Sequence, residues 1–315
     1  MSRTLPKALG RGDVIGMIGP SGSSKDPGMA DKGAAALEAL GFEVVVGDSC
    51  RRKHGYLASP DELRASDLNA FFSDPRIDGI VCMKGGYGTP RILDMIDYAA
   101  VAAHPKVFAG YSDITGLHLA FRRYAGFPTF HAPMAASMVG GFDDFSAASW
   151  TAALTTPGPL GLLSPPPGVG GPVAPTTLVG GAARGPLVGG NLSLVAALTG
   201  TPYALEPDGA ILFLEDVDEE PYRVDRMLTQ LRLAGVFERC AGVVLGHWTR
   251  CEAKDPERSL TLERVFADVV ASAGKPTIAG FSAGHSTPTL SFPLGVEAVL
   301  DADSGTLELT EAALR

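Results

Sequence analysis

The feature that most constrains this chain is a rhythm in its first half, where short apolar runs alternate with segments of helical period. DVIGMIGPSG (13–22) reads as a strand ending in a Gly/Ser/Pro turn. Residues 28–40 follow as a helix, with Met29, Ala36, Leu37 and Leu40 spaced for one buried face. FEVVVG (42–47), IDGIVCMKGG (77–86) and KVFAG (106–110) read as further strands. Helices are expected over 61–74, over 89–98 and after Ser112. A βαβα order predicts a parallel sheet covered by helices, with functional groups at the C-terminal ends of the strands.

Residues 155–180 break that order. TTPGPLGLLSPPPGVGGPVAP sets proline and glycine too close together for a regular element and reads as a linker. Strands are expected again at 210–215, 241–246 and 277–280, with a helix over about 221–234 and a hairpin at 296–309 turning at Ser304-Gly305. The domains are therefore drawn as 1–145 (N-terminal α/β domain), 146–183 (Pro/Gly-rich linker) and 184–315 (C-terminal domain). The length of 315 residues agrees, at roughly 150 residues per domain.

Composition narrows the function classes. A formal charge of −9 argues against a general nucleic-acid binder, which needs a basic field. No apolar run approaches the roughly 18 residues that span a bilayer, so no membrane partner is expected. The basic Arg3, Lys7 and Arg11 precede an apolar stretch cut by Asp13, Gly16, Gly19 and Pro20, which is too short for a signal peptide. Cys50, Cys82, Cys240 and Cys251 contain no CxxC pair and read as reduced thiols of a cytosolic protein.

Two serines compete as nucleophile. In GYSDITGLHL (110–119), Ser112 would sit where a strand turns into a helix, with the following N–H groups facing any oxyanion formed there. Ser112 or Asp113 could equally just cap that helix. GFSAG (280–284) matches the G-x-S-x-G elbow at Ser282, but only His285 follows it and Pro288 and Pro293 prevent a long helix. KGGYGT (84–89) fits neither phosphate-loop pattern; its adjacent glycines could instead allow close backbone approach to a substrate. Glu215 closes the apolar run ILFL, where a buried carboxylate needs a histidine or arginine partner. Asp216, Asp218, Glu219 and Glu220 read as solvated. His285 and His247 are rival bases, and His54, His104, His118 and His131 show no metal-ligand spacing.

Six blocks in order carry a resemblance across nearly the whole chain: GDVIGMIGPSG (12–22), GGYGTPRILDMIDY (85–98), FAGYSDITGLHLA (108–120), GGNLSLVAALTGT (189–201), LEDVDEEPYRVDRMLTQL (214–231) and GHSTPTLSFPLG (284–295). The chain resembles the LD-carboxypeptidase family of serine peptidases, which includes muramoyltetrapeptide carboxypeptidases and microcin-immunity hydrolases. That resemblance implies an α/β fold with a flavodoxin-like or amidotransferase-like parallel-sheet N-terminal domain and a smaller β-rich C-terminal domain. It implies Ser112 as nucleophile, Glu215 as acid and His285 as base, with the backbone N–H groups of Gly86 and Asp113 as oxyanion donors. The nucleophile would then belong to the N-terminal domain and the acid and base to the C-terminal one, with the site spanning the cleft. Lys84 departs from the arginine that many relatives carry there, a change expected to matter little to a main-chain donor.

The resemblance further implies a cytoplasmic homodimer that uses no metal or other cofactor. Its expected reaction is release of the terminal D-alanine from a murein tetrapeptide in peptidoglycan recycling. The alternative is a microcin-immunity-type hydrolase that cleaves peptidyl or aminoacyl adenylates with the same triad. That branch needs an aromatic platform, for which Trp248 is a candidate by residue type alone. A catalytically silent ligand-binding protein on the same scaffold is the third reading.

Overall fold

The structure is a computed structural model and describes residues 4–168, 171–172 and 175–315. It divides the chain into two compact units. One comprises Met1–Gly158, Ser291–Pro293 and Ala312–Arg315, and the other Pro159–Leu290 and Leu294–Glu311. Strands β1 (Val14–Ile18), β2 (Glu43–Val46), β3 (Gly79–Cys82), β4 (Val107–Gly110) and β5 (Thr129–His131) come first. Then follow β6 (Gly161–Leu162), β7 (Pro167–Gly168), β8 (Gly171–Pro172), β9 (Thr176–Val179), β10 (Ala182–Asn191) and β11 (Ile211–Val217). The last are β12 (Gly242–Thr249), β13 (Thr277–Ala279), β14 (Phe292–Leu294), β15 (Glu297–Asp301) and β16 (Thr306–Leu309).

The first unit is built on a sheet of order β14-β5-β4-β3-β1-β2. β1 pairs in parallel with β2 and β3, β3 with β4, and β4 with β5. The order 2-1-3-4-5 is the flavodoxin-like winding, in which ligands gather at the carboxyl ends of the strands. Helix α1 (Met29–Ala39) turns Ala30, Gly33, Ala34 and Leu37 inward, a spacing that follows one helical face. Helix α2 (Asp61–Ser73) buries Ala65, Leu68 and Phe72. Phe72 meets Phe108, Phe121 and Phe127 with ring centroids 5.3–6.0 Å apart, forming an aromatic core.

The helix expected over 89–98 is instead two short 3₁₀ turns, Thr89–Arg91 and Leu93–Met95, followed by α3 (Tyr98–Ala103). Ile92, at φ −111°, closes the first turn, and Ile96, extended at ψ +133°, closes the second, so no continuous helix runs through them. The Asp97 carboxylate then accepts from Ala100 N at 2.9 Å and starts α3 afresh. After α3 come α4 (Thr115–Tyr124), α5 (Ala135–Met138) and α6 (Asp144–Thr155).

The stretch read as a linker over 146–183 begins within α6 and carries strands β6 to β9. Proline and glycine limit those strands to two to four residues but do not prevent them, because edge strands tolerate missing donors. Residues 169–170 and 173–174 of that stretch lie outside the described residues.

The second unit carries a sheet of order β6-β16-β15-β10-β11-β12-β13-β9. Its centre, β10 to β13, is parallel. β15, β16, β6 and β9 join antiparallel on either side. Glu297–Asp301 and Thr306–Leu309 form the expected hairpin. Helices α7 (Leu192–Leu198) and α8 (Pro221–Leu233) follow β10 and β11, and α8 buries Val224, Leu228 and Leu231. No helix among the described residues is long and apolar enough to cross a membrane.

Candidate active site

In the first unit the chain leaves β4 through Tyr111 and reverses at Ser112, whose φ is +64°. A serine in the left-handed region costs roughly 1–2 kcal/mol, so the surrounding structure must impose it. The 3₁₀ turn Ser112–Ile114 then leads straight into α4. Gly110 permits the turn, since a Cβ there would lie 2.9 Å from the Ile114 side chain. The result is a strand, a sharp strained turn bearing a serine, and a helix, which is the geometry of a nucleophile elbow.

Neither Ser112 nor Asp113 caps the helix that follows. The Asp113 carboxylate is buried and accepts from Ser21 Oγ at 2.6 Å and from Thr89 N at 2.8 Å. The Thr89 hydroxyl in turn donates to the Asp113 carbonyl at 2.5 Å. One side chain thus ties together the loops after β1, β3 and β4. Gly85 packs directly on the serine, where a Cβ would lie 3.0 Å from Ser112 Oγ. Gly86 is exposed, with φ at +123°. As the second residue of its turn, Asp113 keeps a backbone N–H that the turn leaves without an acceptor. The fully buried Arg64 braces the glycine turn by donating to Gly88 O at 2.9 Å, to Pro20 O and to Asp61. Sequence reasoning missed Ser21, Arg64 and Thr89, because nothing in their local pattern separates them from loop and helix-face residues.

In the second unit Glu215 is fully buried near the end of β11. Its Oε2 lies 2.7 Å from His285 Nδ1, and its Oε1 is 3.4 Å from Asn191 Nδ2. With Nδ1–H donating to the carboxylate, Nε2 is the nitrogen able to act as a base. The carboxylate occupies a slot made by two glycines. A Cβ on Gly246 would lie 3.2 Å from Glu215 Cβ, and one on Gly284 (φ +121°) would lie 2.8 Å from Oε2. The His285 carbonyl accepts from Thr249 Oγ1 at 2.7 Å, which anchors the histidine loop to β12.

Asp216 corrects an expectation, since it is buried rather than solvated. β12 carries an extra residue opposite Glu215, so β11 continues past it to pair Asp216 with Trp248 and Val217 with Thr249. Asn191 Nδ2, Ser193 N and Ser193 Oγ all donate to Asp216 at 2.8–2.9 Å. Burial and the neighbouring Glu215 charge push the Asp216 carboxyl above the usual range. Asp218 is exposed as expected, and its ion pair with Arg250 at 2.6 Å holds its carboxyl low.

The rivals fall away on geometry. Ser282 sits in a loop after β13 with no helix behind it, and the positive-φ non-glycine residues are Ser112, Asp218 and Arg250 alone among the described residues. His247 has no carboxylate partner among the described residues, and burial pulls its pKa below the usual value. Burial pushes the Cys240 and Cys251 thiols up to about 11, which disfavours a thiolate nucleophile. The structure therefore brings Glu215 and His285 together in the second unit, and sets Gly86, Ser112 and Asp113 in the loops at the ends of β3 and β4 in the first.

The first unit thus holds a strained serine turn, and the second a buried carboxylate–imidazole pair. Comparison with known proteins specifies the class. The LD-carboxypeptidase N-terminal domain matches residues 15–132 and the LD-carboxypeptidase C-terminal domain matches residues 184–300. The chain belongs to the LD-carboxypeptidase family, and it is an enzyme of the serine-type carboxypeptidase class. A probable murein peptide carboxypeptidase of Bacillus subtilis is 41% identical over 301 residues, covering 94% of this chain and 91% of its own length. The solved muramoyltetrapeptide carboxypeptidase of Oxalobacter formigenes superposes with a TM-score of 0.81 at 28% identity, covering 95% of this chain and 98% of its own. The microcin C7 self-immunity protein MccF superposes at 0.87 with 25% identity, covering 99% of each chain.

Proposed function

We propose that this protein is a muramoyltetrapeptide carboxypeptidase that releases the terminal D-alanine from murein tetrapeptides. Ser112 Oγ attacks the carbonyl of the diamino acid while His285 Nε2 takes its proton. Glu215 holds the imidazole in the required tautomer and stabilises the imidazolium. The amides of Gly86 and Asp113 receive the oxyanion. His285 then passes its proton to the departing D-alanine nitrogen, and water, activated by the same histidine, hydrolyses the acyl-enzyme. The observation that carries the reading is the 2.7 Å contact between the fully buried Glu215 and His285 Nδ1. A carboxylate so far from water is costly unless it is paired, and this partner is a proton carrier. The same reading includes a cytoplasmic homodimer acting in peptidoglycan recycling, which sedimentation of the purified protein and cell fractionation test.

The decisive experiment follows a diaminopimelate-containing tetrapeptide by mass spectrometry. Wild type is expected to lose one alanine, and Ser112→Ala to be slower by about 10⁴–10⁶-fold, as in triads that act as a unit. Ser282→Ala should retain nearly full activity. Rapid turnover by Ser112→Ala would refute the nucleophile. Turnover of an aminoacyl adenylate in place of the tetrapeptide would move the substrate to the microcin-immunity branch.

A further inference from the structure

We propose that Lys84 binds the terminal carboxylate of the substrate, and so restricts the enzyme to the last peptide bond. The inference rests on the peptide substrate and the Gly86 oxyanion donor proposed above, and adds the group that reads the chain end. Lys84 follows β3 immediately before the two glycines and is half-buried. Its ammonium has one hydrogen-bond partner, Ser23 O at 3.2 Å, and no carboxylate pairs with it among the described residues. Burial, opposed by no neighbouring charge, pulls its pKa below the ordinary lysine value.

Lys106 shows what a structural lysine looks like. It is largely buried, donates to Phe71 O at 2.9 Å and to Asp74 O at the end of α2, and has the charges of Asp74 and Asp78 to offset desolvation. Lys84 has no such compensation. A partly desolvated ammonium without a counter-ion is unfavourable unless a ligand supplies the anion.

Position identifies that anion. A Cβ on Gly86 would lie 3.7 Å from Lys84 Nζ, and one on Gly85 would lie 3.0 Å from Ser112 Oγ. The nucleophile therefore lies beside Gly85 and the ammonium beside Gly86. In a peptide ending in alanine, only the amide nitrogen and one Cα separate the scissile carbonyl from the terminal carboxylate. With the carbonyl oxygen on the Gly86 amide, that carboxylate comes within reach of the flexible lysine. An internal peptide bond would present a neutral amide at the same place and leave the cation unpaired.

The test compares hydrolysis of a D-alanine-ending tetrapeptide with that of its C-terminal amide, in wild type, Lys84→Met and Lys84→Arg. Wild type should prefer the acid by about ten- to a hundredfold in kcat/KM, the range of one charged hydrogen bond. Lys84→Met should bring that ratio close to one, and Lys84→Arg should keep most of it. Because the readout is a ratio within one protein, partial misfolding cancels from it. An unchanged acid preference in Lys84→Met, while wild type still releases alanine, overturns the Lys84 assignment alone. A wild type that releases no alanine from the acid overturns the proposed function and this inference together.

Discussion

The two units hold their candidate functional residues by different physical means. In the first, the chemistry is stored in the backbone: Ser112 is forced to φ +64° by the turn after β4, and the buried Asp113 carboxylate knots three loops around it. In the second, it is stored in side-chain packing: Glu215 lies in a slot between Gly246 and Gly284 with its free direction taken by His285. The histidines repeat the contrast. His118, in the first unit, bonds Thr129 Oγ1 and Gly110 O at 2.9 Å, both neutral groups, and burial holds its pKa at about 4. His285, in the second, faces a carboxylate. A buried histidine among neutral partners is kept from charging.

That contrast can be broken from either side. The largest effect should come from Glu215→Gln, which keeps the slot filled but removes the charge behind the imidazole. It is expected to lower kcat by about 10³–10⁴-fold with little change in the folded structure, checked by peptide turnover alongside circular dichroism. Gly284→Ala should be next. Its Cβ would meet Glu215 Oε2 at 2.8 Å on a backbone at φ +121°, so the carboxylate must move. A displacement of that kind costs about a hundredfold in rate, with about 1–3 kcal/mol of stability, read from kinetics and urea unfolding.

The smallest effect is a pH dependence of stability in the first unit. The folded pKa of His118 is depressed from 6.5 to about 4, so the unfolded chain binds the proton more readily. Its contribution is fully present above about pH 6.5 and is lost as pH falls toward 4, by about 3 kcal/mol at pH 4. Urea unfolding from pH 7 to 4.5 should show a shallower slope for His118→Gln than for wild type. Equal slopes would refute the assignment.

The first unit was legible because β-branched runs and one-faced helices recur at βαβ spacing, and local pattern dictates both. Within α1, Leu37 is buried as read, but Met29, Ala36 and Leu40 are only half-buried, and Ala30, Gly33 and Ala34 complete the inward face. Glu215 was legible too, as the acid that ends a run of apolar residues. Asp216 was not, because its burial depends on an extra residue in β12, a strand that lies beside it only after folding. The turns over 89–98 were hidden for a similar reason: Thr89 answers to Asp113, 24 residues away in the chain. The strands within the Pro/Gly-rich stretch were hidden because each takes its partner from distant sequence, as β9 does from β13. Pairings of that kind leave no local period.

The return of Ser291–Pro293 and Ala312–Arg315 to the first unit bears on how the gene can be divided. The Pro/Gly-rich stretch after residue 158 looks like a natural place to cut. A fragment ending there would lack β14, the strand that covers β5 and stacks Phe292 on His131 at 5.4 Å. It would also lose the tail whose Arg315 exchanges backbone hydrogen bonds with Pro6 and Ala8. Its bare β5 edge would then be open to pairing with other chains. The two family domains are thus distinct as sequence but interlaced as chain, and no single breakpoint releases either unit whole.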